Sequence, residues 1–524
     1  MQKLPIGEQH FARLRERDNV YVDKTKLIYD LMQVGGFVFL SRPRRFGKSL
    51  LTTTLQEIFR GNRSLFRGLW IEDKINWKPH PVLLLNFNAV SYRVQSLAQG
   101  LTDYLDELAA EHGVALAGGD YKEKFRALIR RLSEQDDGQR GVVLLIDEYD
   151  KPITDFLENE QKVQEHIDTL KDFYAVLKAP EAQHLHFTFI TGVSKYGKLS
   201  IFSDLNNLLD ITLDPRFATL LGYTQDELEQ NFGGYIERLA HTYAASRADV
   251  LGQIALWYNG YSWDGLHSVY VPFSTLTFLE LQTFDNHWFS TATPSFLIKL
   301  LKQHQIPAYE LESVMADNRL LDSADVHNLS VIALLFQTGY LTIRRVQRSL
   351  QGNRYELGYP NHEVAQSFQQ YLLADYLDAN LDRVSATFLE KLRAALEAAD
   401  VNGIITALQA LFASIPSHLF LPQEAYYHSL VYLTLKLLGF TVVAEYPTNL
   451  GRIDAYVEMD RAIYILEFKM TTGRIALKQI RAKQYAQPFL SSDKTVILLG
   501  IAFDAEQRNI GDWQHEILET AAEE

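Results

Sequence analysis

Two stretches of this chain place residue types where phosphate chemistry could be done. The first is SRPRRFGKSL, Ser41 to Leu50. A phosphate-binding loop reads G-x-x-x-x-G-K-[ST]: glycine lets backbone N–H groups close on phosphate, lysine reaches the β- and γ-phosphates, and the hydroxyl joins Mg²⁺. Gly47, Lys48 and Ser49 match its end, with Arg44, Arg45, Phe46 and Leu50 completing the loop. Its head departs, because Arg42 stands where the first glycine belongs. Arg42 before Pro43 favours an extended entry, since proline disfavours the helical region for the residue ahead of it. Alone, GKS fits a basic surface loop as well as a nucleotide site.

A partner strengthens the nucleotide reading. GVVLLIDEYD is an apolar run ending in Asp147 and Glu148. A carboxylate at such a strand end can hold the Mg²⁺ shell, and the next can orient or deprotonate an attacking water. Asp150 reads as a helix cap, with Pro152 just inside the helix. A further run, HFTFITGVSK, ends in Thr191, Ser194 and Lys195, which could sense a γ-phosphate or simply form a turn.

The second stretch is GRIDAYVEMDRAIYILEFKM, a D-x12-E-x-K arrangement of Asp454, Glu467 and Lys469. Residues i and i+2 of a strand share a face, so Glu467 and Lys469 project together, and an antiparallel neighbour can bring Asp454 opposite them. Two carboxylates beside a lysine suit Mg²⁺-assisted phosphodiester hydrolysis, with the acids holding the ion and the lysine positioning the nucleophile or neutralising charge. A buried strand does not carry a glutamate cheaply, and YILEF carries one. Glu424 could add a ligand or base from the preceding helix. Arg474, Lys478, Arg481 and Lys483 form a cationic cluster that fits either a phosphate backbone or a solvated helix face. Asp493 and the tail EILETAAEE offset much of that charge, and Gln479 and Tyr485 could support the site.

These residues need elements to hold them. GGFVFL, PVLLLNFN, GVVLLID and LHFTFITG are short apolar runs bounded by Gly, Pro or polar residues, as in the buried strands of a mostly parallel sheet. Helical patterns lie between them at Ser49–Phe59, Gln95–Glu111 and Tyr121–Ser133, so the front of the chain is expected to be a doubly wound α/β sheet. The middle is mainly helical, with aromatic turns such as WYNGYSWDG and strand-like pieces at GYLTIRRV and RYELGYP. The rear reads helix (424–438), strand (440–446), strand (452–458), strand (462–470), helix (476–489), strand (495–503), a compact α/β layout. Three units are expected: 1–225, 226–420 and 421–524.

Composition bounds the function. At 524 residues, 47% hydrophobic and 12% aromatic, the chain is an ordinary multi-domain globular protein. It contains no cysteine, which excludes disulfides and thiolate metal sites and fits a cytoplasmic setting. The first residues lack a signal-peptide core, and no run approaches the roughly 18 apolar residues of a membrane helix. A net charge of −14 means that any nucleic-acid contact must be local.

Together FxxLRERDNVYVDKT, SRPRRFGKS, LLIDEYDKPI, ITGVSKYGKLSIFSDLNNLLDIT, WYNGYSWDG and YELGYPNHEV resemble the bacterial AAA-ATPase-like family of P-loop ATPases, across most of residues 5–370. That resemblance makes Arg42 a loop variant of the family. It implies ATP at Arg44–Leu50, Mg²⁺ at Ser49 and Asp147, and catalytic support from Glu148. Tyr21 and Asp23 of YVDKT fall in another family motif and are expected to line the nucleotide pocket. Arg216 is a candidate arginine finger, with a surface salt bridge as its alternative. Residues 421–505 resemble the PD-(D/E)XK nuclease superfamily, which implies metal and catalytic roles for Asp454, Glu467 and Lys469 and a helix acid at Glu424. Ile453 replaces the proline of that motif. The resemblance implies Mg²⁺, with Mn²⁺ as an alternative, and nucleic acid as partner, DNA favoured. Analogy with AAA proteins adds homo-oligomeric assembly. The expected function is nucleotide-regulated cleavage of nucleic acid; the alternative is a switch or remodelling ATPase whose rear domain only binds.

Overall fold

A computed structural model describes residues 1–135, 140–178, 180–195, 201–202, 205, 207–288, 295–321, 330–377, 386–416 and 421–518. The YGKLS part of the third-strand motif and the end of the acidic tail, 519–524, lie outside them. The chain divides into two compact units: Met1–Leu297 with Ser313–Ala365, and Ile298–Glu312 with Gln366–Glu524. Residues 226–420 contribute to both.

The first unit is built on a five-stranded parallel sheet: β1 (Gly36–Ser41), β2 (Val82–Asn86), β3 (Val142–Asp147), β4 (Leu185–Gly192) and β5 (Leu208–Asp210), in the order β2-β3-β4-β1-β5. Every residue of β3 is buried, which is why these strands read as unbroken apolar runs and not as alternating ones. Because β4 separates β1 from β3, the loop after β1 and the acids after β3 open on the same edge with the end of β4 between them. Helices Gln225–Thr242, Arg247–Tyr258 and Pro272–Leu281 share a core with Val20 and Val22 from the N-terminal arm. A small antiparallel sheet, β6 (Val314–Asp317), β7 (Thr342–Gln347) and β8 (Arg354–Gly358), completes the unit.

The second unit carries a mixed sheet: β9 (Thr441–Pro447), β10 (Arg452–Glu458), β11 (Ala462–Lys469), β12 (Thr495–Asp504) and β13 (Asn509–Leu518), ordered β13-β12-β11-β10-β9. Only β11 and β12 run parallel, and the crossover between them is the helix Gly473–Ala482. That helix starts earlier and stops sooner than its apolar pattern suggested. Thr472 caps it by accepting from the N–H of Ile475, and Pro488 closes the segment in a short 3-10 turn, Gln487–Phe489. Gly473 lies so close to the sheet that a Cβ would sit 2.5 Å from the Trp513 Cα, so the helix seats directly on β12 and β13. Among the described residues no helix is long and apolar enough to cross a membrane.

Candidate nucleotide and metal sites

In the first unit, Gly47 has φ +92 and ends the loop in a left-handed turn that opens the helix Lys48–Phe59. Such a helix start offers N–H groups and a positive dipole end to an anion. Lys48 is buried, and its ammonium donates to the Arg42 and Pro43 carbonyls at 2.9 and 3.0 Å. Burial holds its pKa below the ordinary lysine range, opposed by the charges of Glu148, Asp147 and Asp150. Ser49 opens the helix beside the Asp147 carboxylate, whose Oδ1 is buried with no partner. Burial pushes that carboxyl up to about 6. A hydroxyl beside a carboxylate with one buried oxygen free is a fitting donor pair for a hard cation, which needs few protein ligands when waters complete its shell. Glu148 follows with φ +53 and faces the cleft beside Lys48.

Arg42 turns out to be part of the framework. It is 1% exposed, and its guanidinium donates to the carbonyls of Ser41, Thr212 and Phe217 at 2.9, 2.8 and 3.3 Å. It lies 3.9 Å from the ring centre of Trp263. Phe46 packs edge-on against Tyr261 and Trp263, at 4.8 and 5.3 Å. The WYNGYSWDG turn is therefore the floor under the phosphate loop.

The loop opens on a cleft of about 260 Å³, walled by Pro5, Gly7, Glu8 and Gln9 on one side and Tyr223, Pro272, Phe273 and Leu276 on the other. The Arg45 guanidinium lies over the Phe273 ring at 4.4 Å, and Arg44 lines the same cleft. An adjoining apolar cavity of about 70 Å³ is lined by Val20, Val22, Leu51, Leu220 and Tyr21. Asp23 is not among the residues of either cavity. Its carboxylate instead accepts from the N–H and hydroxyl of Thr25 and from the N–H of Trp70, anchoring the start of a helix.

The remaining front-half candidates have local partners. Asp150 occupies a cap position by chain geometry, but its side chain makes no cap bond; it accepts from the N–H and hydroxyl of Ser194, each at 2.7 Å. Thr191 donates to the Leu40 carbonyl, and Lys195 pairs with Asp210 at 2.9 Å. Arg216 forms an exposed pair with Asp214 at 2.6 Å.

One buried acid supports the loop from outside the sequence candidates. Glu363 accepts from the Trp288 N–H at 2.6 Å and the Ser274 hydroxyl at 3.1 Å, and the Trp288 indole donates to the Arg44 carbonyl at 3.3 Å. Burial pushes Glu363 up to about 8. The folded state therefore holds a proton there that the unfolded chain releases near the ordinary carboxyl range, so this group's contribution to stability is full at low pH and is lost as pH rises towards about 8. Glu363→Gln is expected to raise the melting temperature at pH 8 relative to wild type and to change it little at pH 5; equal shifts at both pH values in thermal melts sink this account.

In the second unit the ladder pairs Ala455 with Leu466, so Asp454 falls opposite Glu467. The Phe468 N–H donates to Asp454 Oδ2 at 2.7 Å, and Lys469 Nζ bonds Glu467 Oε1 at 2.8 Å. Glu467 is fully buried, and its Oε2 has no partner. Burial, then the Asp454 charge, pushes Glu467 up to about 7 against the pull of Lys469. Glu424 is close enough to feel both Lys469 and Asp454, and burial raises its pKa. Among the described residues no three acids or histidines close into a metal cage. An ion here would rest on two carboxylates and water, as Mg²⁺ commonly does.

Sequence reasoning missed Glu445 and Tyr309. Glu445 stands opposite Asp454 on β9 with φ +53 and pairs with Arg452 at 2.7 Å. Extending the antiparallel register across the TNLG turn would have found it. Tyr309 lies among Glu445, Glu310, Asp454 and Glu424. Of the basic cluster, Arg481 is paired with Glu516 at 2.6 Å, while Arg474, Lys478 and Lys483 are exposed. Tyr485 belongs to the core under the sheet.

Residues 5–202 match the family described as "Predicted AAA-ATPase", and residues 422–513 match the PD-(D/E)XK nuclease superfamily. The chain is 39% identical over 520 residues to an Azotobacter chroococcum mcd 1 protein described as "Uncharacterized protein in vnfD 5'region", covering 97% of this chain and 98% of that one. The chain belongs to the predicted AAA-ATPase family and carries, at residues 422–513, a PD-(D/E)XK nuclease superfamily domain.

Proposed function

We propose that this protein binds and hydrolyses ATP, and that its nucleotide state regulates metal-dependent cleavage of nucleic acid, with DNA favoured, by the rear domain. The observation that carries the reading is the buried, unpartnered Glu467 oxygen beside Asp454 and Lys469, because an apolar strand would not keep that arrangement for packing alone. Asp454 and Glu467 would hold Mg²⁺ or Mn²⁺, and a bound ion there would acidify water and stabilise charge on the phosphate. Lys469 neutralises charge next to Glu467 and is placed to orient the nucleophile. Glu424 is the helix acid, and the exposed Arg474, Lys478 and Lys483 offer a track for a phosphate backbone.

In the front unit, Arg44–Leu50 would cradle the phosphates and the apolar cavity beyond Gly47 would take the base. Ser49 and Asp147 would hold Mg²⁺, Lys48 would leave the loop carbonyls for the phosphates, and Glu148 would orient water. Coupling would follow from a segment that responds to the γ-phosphate.

The test incubates the purified full chain with single- and double-stranded DNA and RNA, with Mg²⁺ or Mn²⁺, and with or without ATP. Cleavage is expected to require metal and to change with ATP. Cleavage unchanged in Asp454→Ala ends the nuclease reading. Lys48→Ala that melts like wild type, yet keeps both ATP binding and ATP-dependent cleavage, ends the regulatory one.

A further inference from the structure

We propose that Arg45 and Phe273 form a phosphate-responsive latch: the guanidinium resting on the Phe273 ring is drawn off it by the phosphates of a bound nucleoside triphosphate, so that the start of the helix Pro272–Leu281 answers to nucleotide state; this rests on the nucleotide reading above. Arg45 belongs to the phosphate loop and Phe273 to the opposite wall of the same cleft, which Lys48 and Glu148 also line. The guanidinium lies 4.4 Å from the centre of the Phe273 ring, so the contact spans the cleft from loop to helix.

Two observations set Arg45 apart from a packed surface arginine. Its backbone is held at φ +71, a left-handed conformation that costs energy in a residue with a Cβ. Its side chain is partly buried yet makes no hydrogen bond or ion pair among the described residues. Burial, then the neighbouring Arg44 charge, holds its pKa below the usual arginine range. A guanidinium offers five N–H donors in a fork that matches phosphate oxygens, and a ring face accepts none of them squarely. Charge-assisted bonds to a phosphate therefore outweigh a cation–π contact at a part-exposed site. Arg42 of the same loop is the contrast, because its donors are taken by three carbonyls.

The same helix is tied to the loop a second way. Ser274, next to Phe273, donates to Glu363, which accepts from the Trp288 N–H, and the Trp288 indole donates to the Arg44 carbonyl. Consecutive helix residues thus reach consecutive loop residues. One pair meets in an open contact for which phosphate competes, and the other is joined by hydrogen bonds anchored on a buried acid. The second tie keeps loop and helix in register while the first is made or broken. Leu276, Phe278 and Leu279 carry the helix into the core shared with Gln225–Thr242 and Arg247–Tyr258, so a change at its start meets packed neighbours.

The purified full chain is titrated with ATP, AMP and tripolyphosphate, and amide exchange over residues 272–281 is followed with and without ATP. Arg45→Gln is expected to melt near wild type, to bind AMP normally and to bind ATP and tripolyphosphate at least about tenfold more weakly. Phe273→Leu removes the ring and keeps an apolar side chain. It is expected to bind ATP about two- to tenfold more tightly, because nothing then competes with phosphate for the guanidinium. In the Arg45→Gln background the same change is expected to leave ATP affinity unaltered. ATP is expected to speed exchange at the start of the helix in wild type and to change nothing there in either variant. Equal or weaker ATP binding in Phe273→Leu overturns the proposal, since the ring would then be packing or a platform for the base. Exchange at 272–281 that ignores ATP in wild type overturns it as well. ATP bound normally by Arg45→Gln ends the latch and leaves the nucleotide reading standing. A wild-type chain that binds neither ATP nor tripolyphosphate removes both.

Discussion

Arg42→Gly, which restores the usual glycine at the head of the phosphate loop, is expected to destabilise the protein and weaken ATP binding. The guanidinium donates to three carbonyls, those of Ser41, Thr212 and Phe217, and lies against Trp263. Asp210 and Asp264 supply compensating negative charge, without which burial would depress the arginine further than about 9. Hydrogen bonds from a charged donor are each worth about 1.5–3 kcal/mol, and a buried carbonyl stripped of its donor adds a desolvation penalty. A glycine leaves all three carbonyls and a side-chain-sized void, so the loss is expected to be about 3–6 kcal/mol, or a melting-temperature drop of roughly 10 °C. Lys48 loses its footing too, since it bonds the carbonyls of Arg42 and Pro43. Arg42→Met is the useful control: it keeps volume and removes the donors, and replacing a buried ion by an apolar group is often tolerated. Thermal melts with and without ATP read the result. Wild-type melting and ATP affinity in Arg42→Gly would mean that the arginine is incidental.

That prediction marks where the sequence stopped being readable. The strand–loop–helix around Gly47, the acids after β3 and the opposition of Asp454 to Glu467 are local patterns, fixed by a strand's alternation and a short turn. They were legible for that reason. The use of Arg42 was not, because its partners Thr212, Phe217 and Trp263 lie far along the chain and meet it only in the folded sheet. Asp150 shows the converse failure. Its proline-bearing neighbourhood reads as a helix cap, yet the end of β4 brings Ser194 to its side chain, and two bonds to one residue outcompete a cap. Asp23 fell to a similar competition with Thr25 and Trp70. At the rear, β13 was missed because NIGDWQHEIL is an edge strand with charged and polar residues facing water, which blurs the apolar signal.

Asp454→Asn is expected to abolish cleavage while leaving the metal-free protein at least as stable as wild type. Asp454 and Glu467 repel each other across the ladder, and burial raises the pKa of both. Removing one charge relieves that repulsion, which is stronger near a protein interior than in bulk water. Asparagine retains a carbonyl oxygen for the Phe468 N–H, so the strand geometry is preserved. What it cannot supply is the second carboxylate that a hard cation needs beside Glu467. In wild type, Mn²⁺ is expected to raise the melting temperature by mass action, by an amount that grows with its concentration. In the variant the part of that rise belonging to the rear site disappears, and cleavage falls by about 10³-fold or more, the scale expected when a catalytic ion is lost. ATP binding is expected to stay at its wild-type value, because Lys48, Ser49 and Asp147 are untouched. The opposite pattern, lower metal-free stability with cleavage retained, would make Asp454 a structural residue and return the rear domain to a binding role.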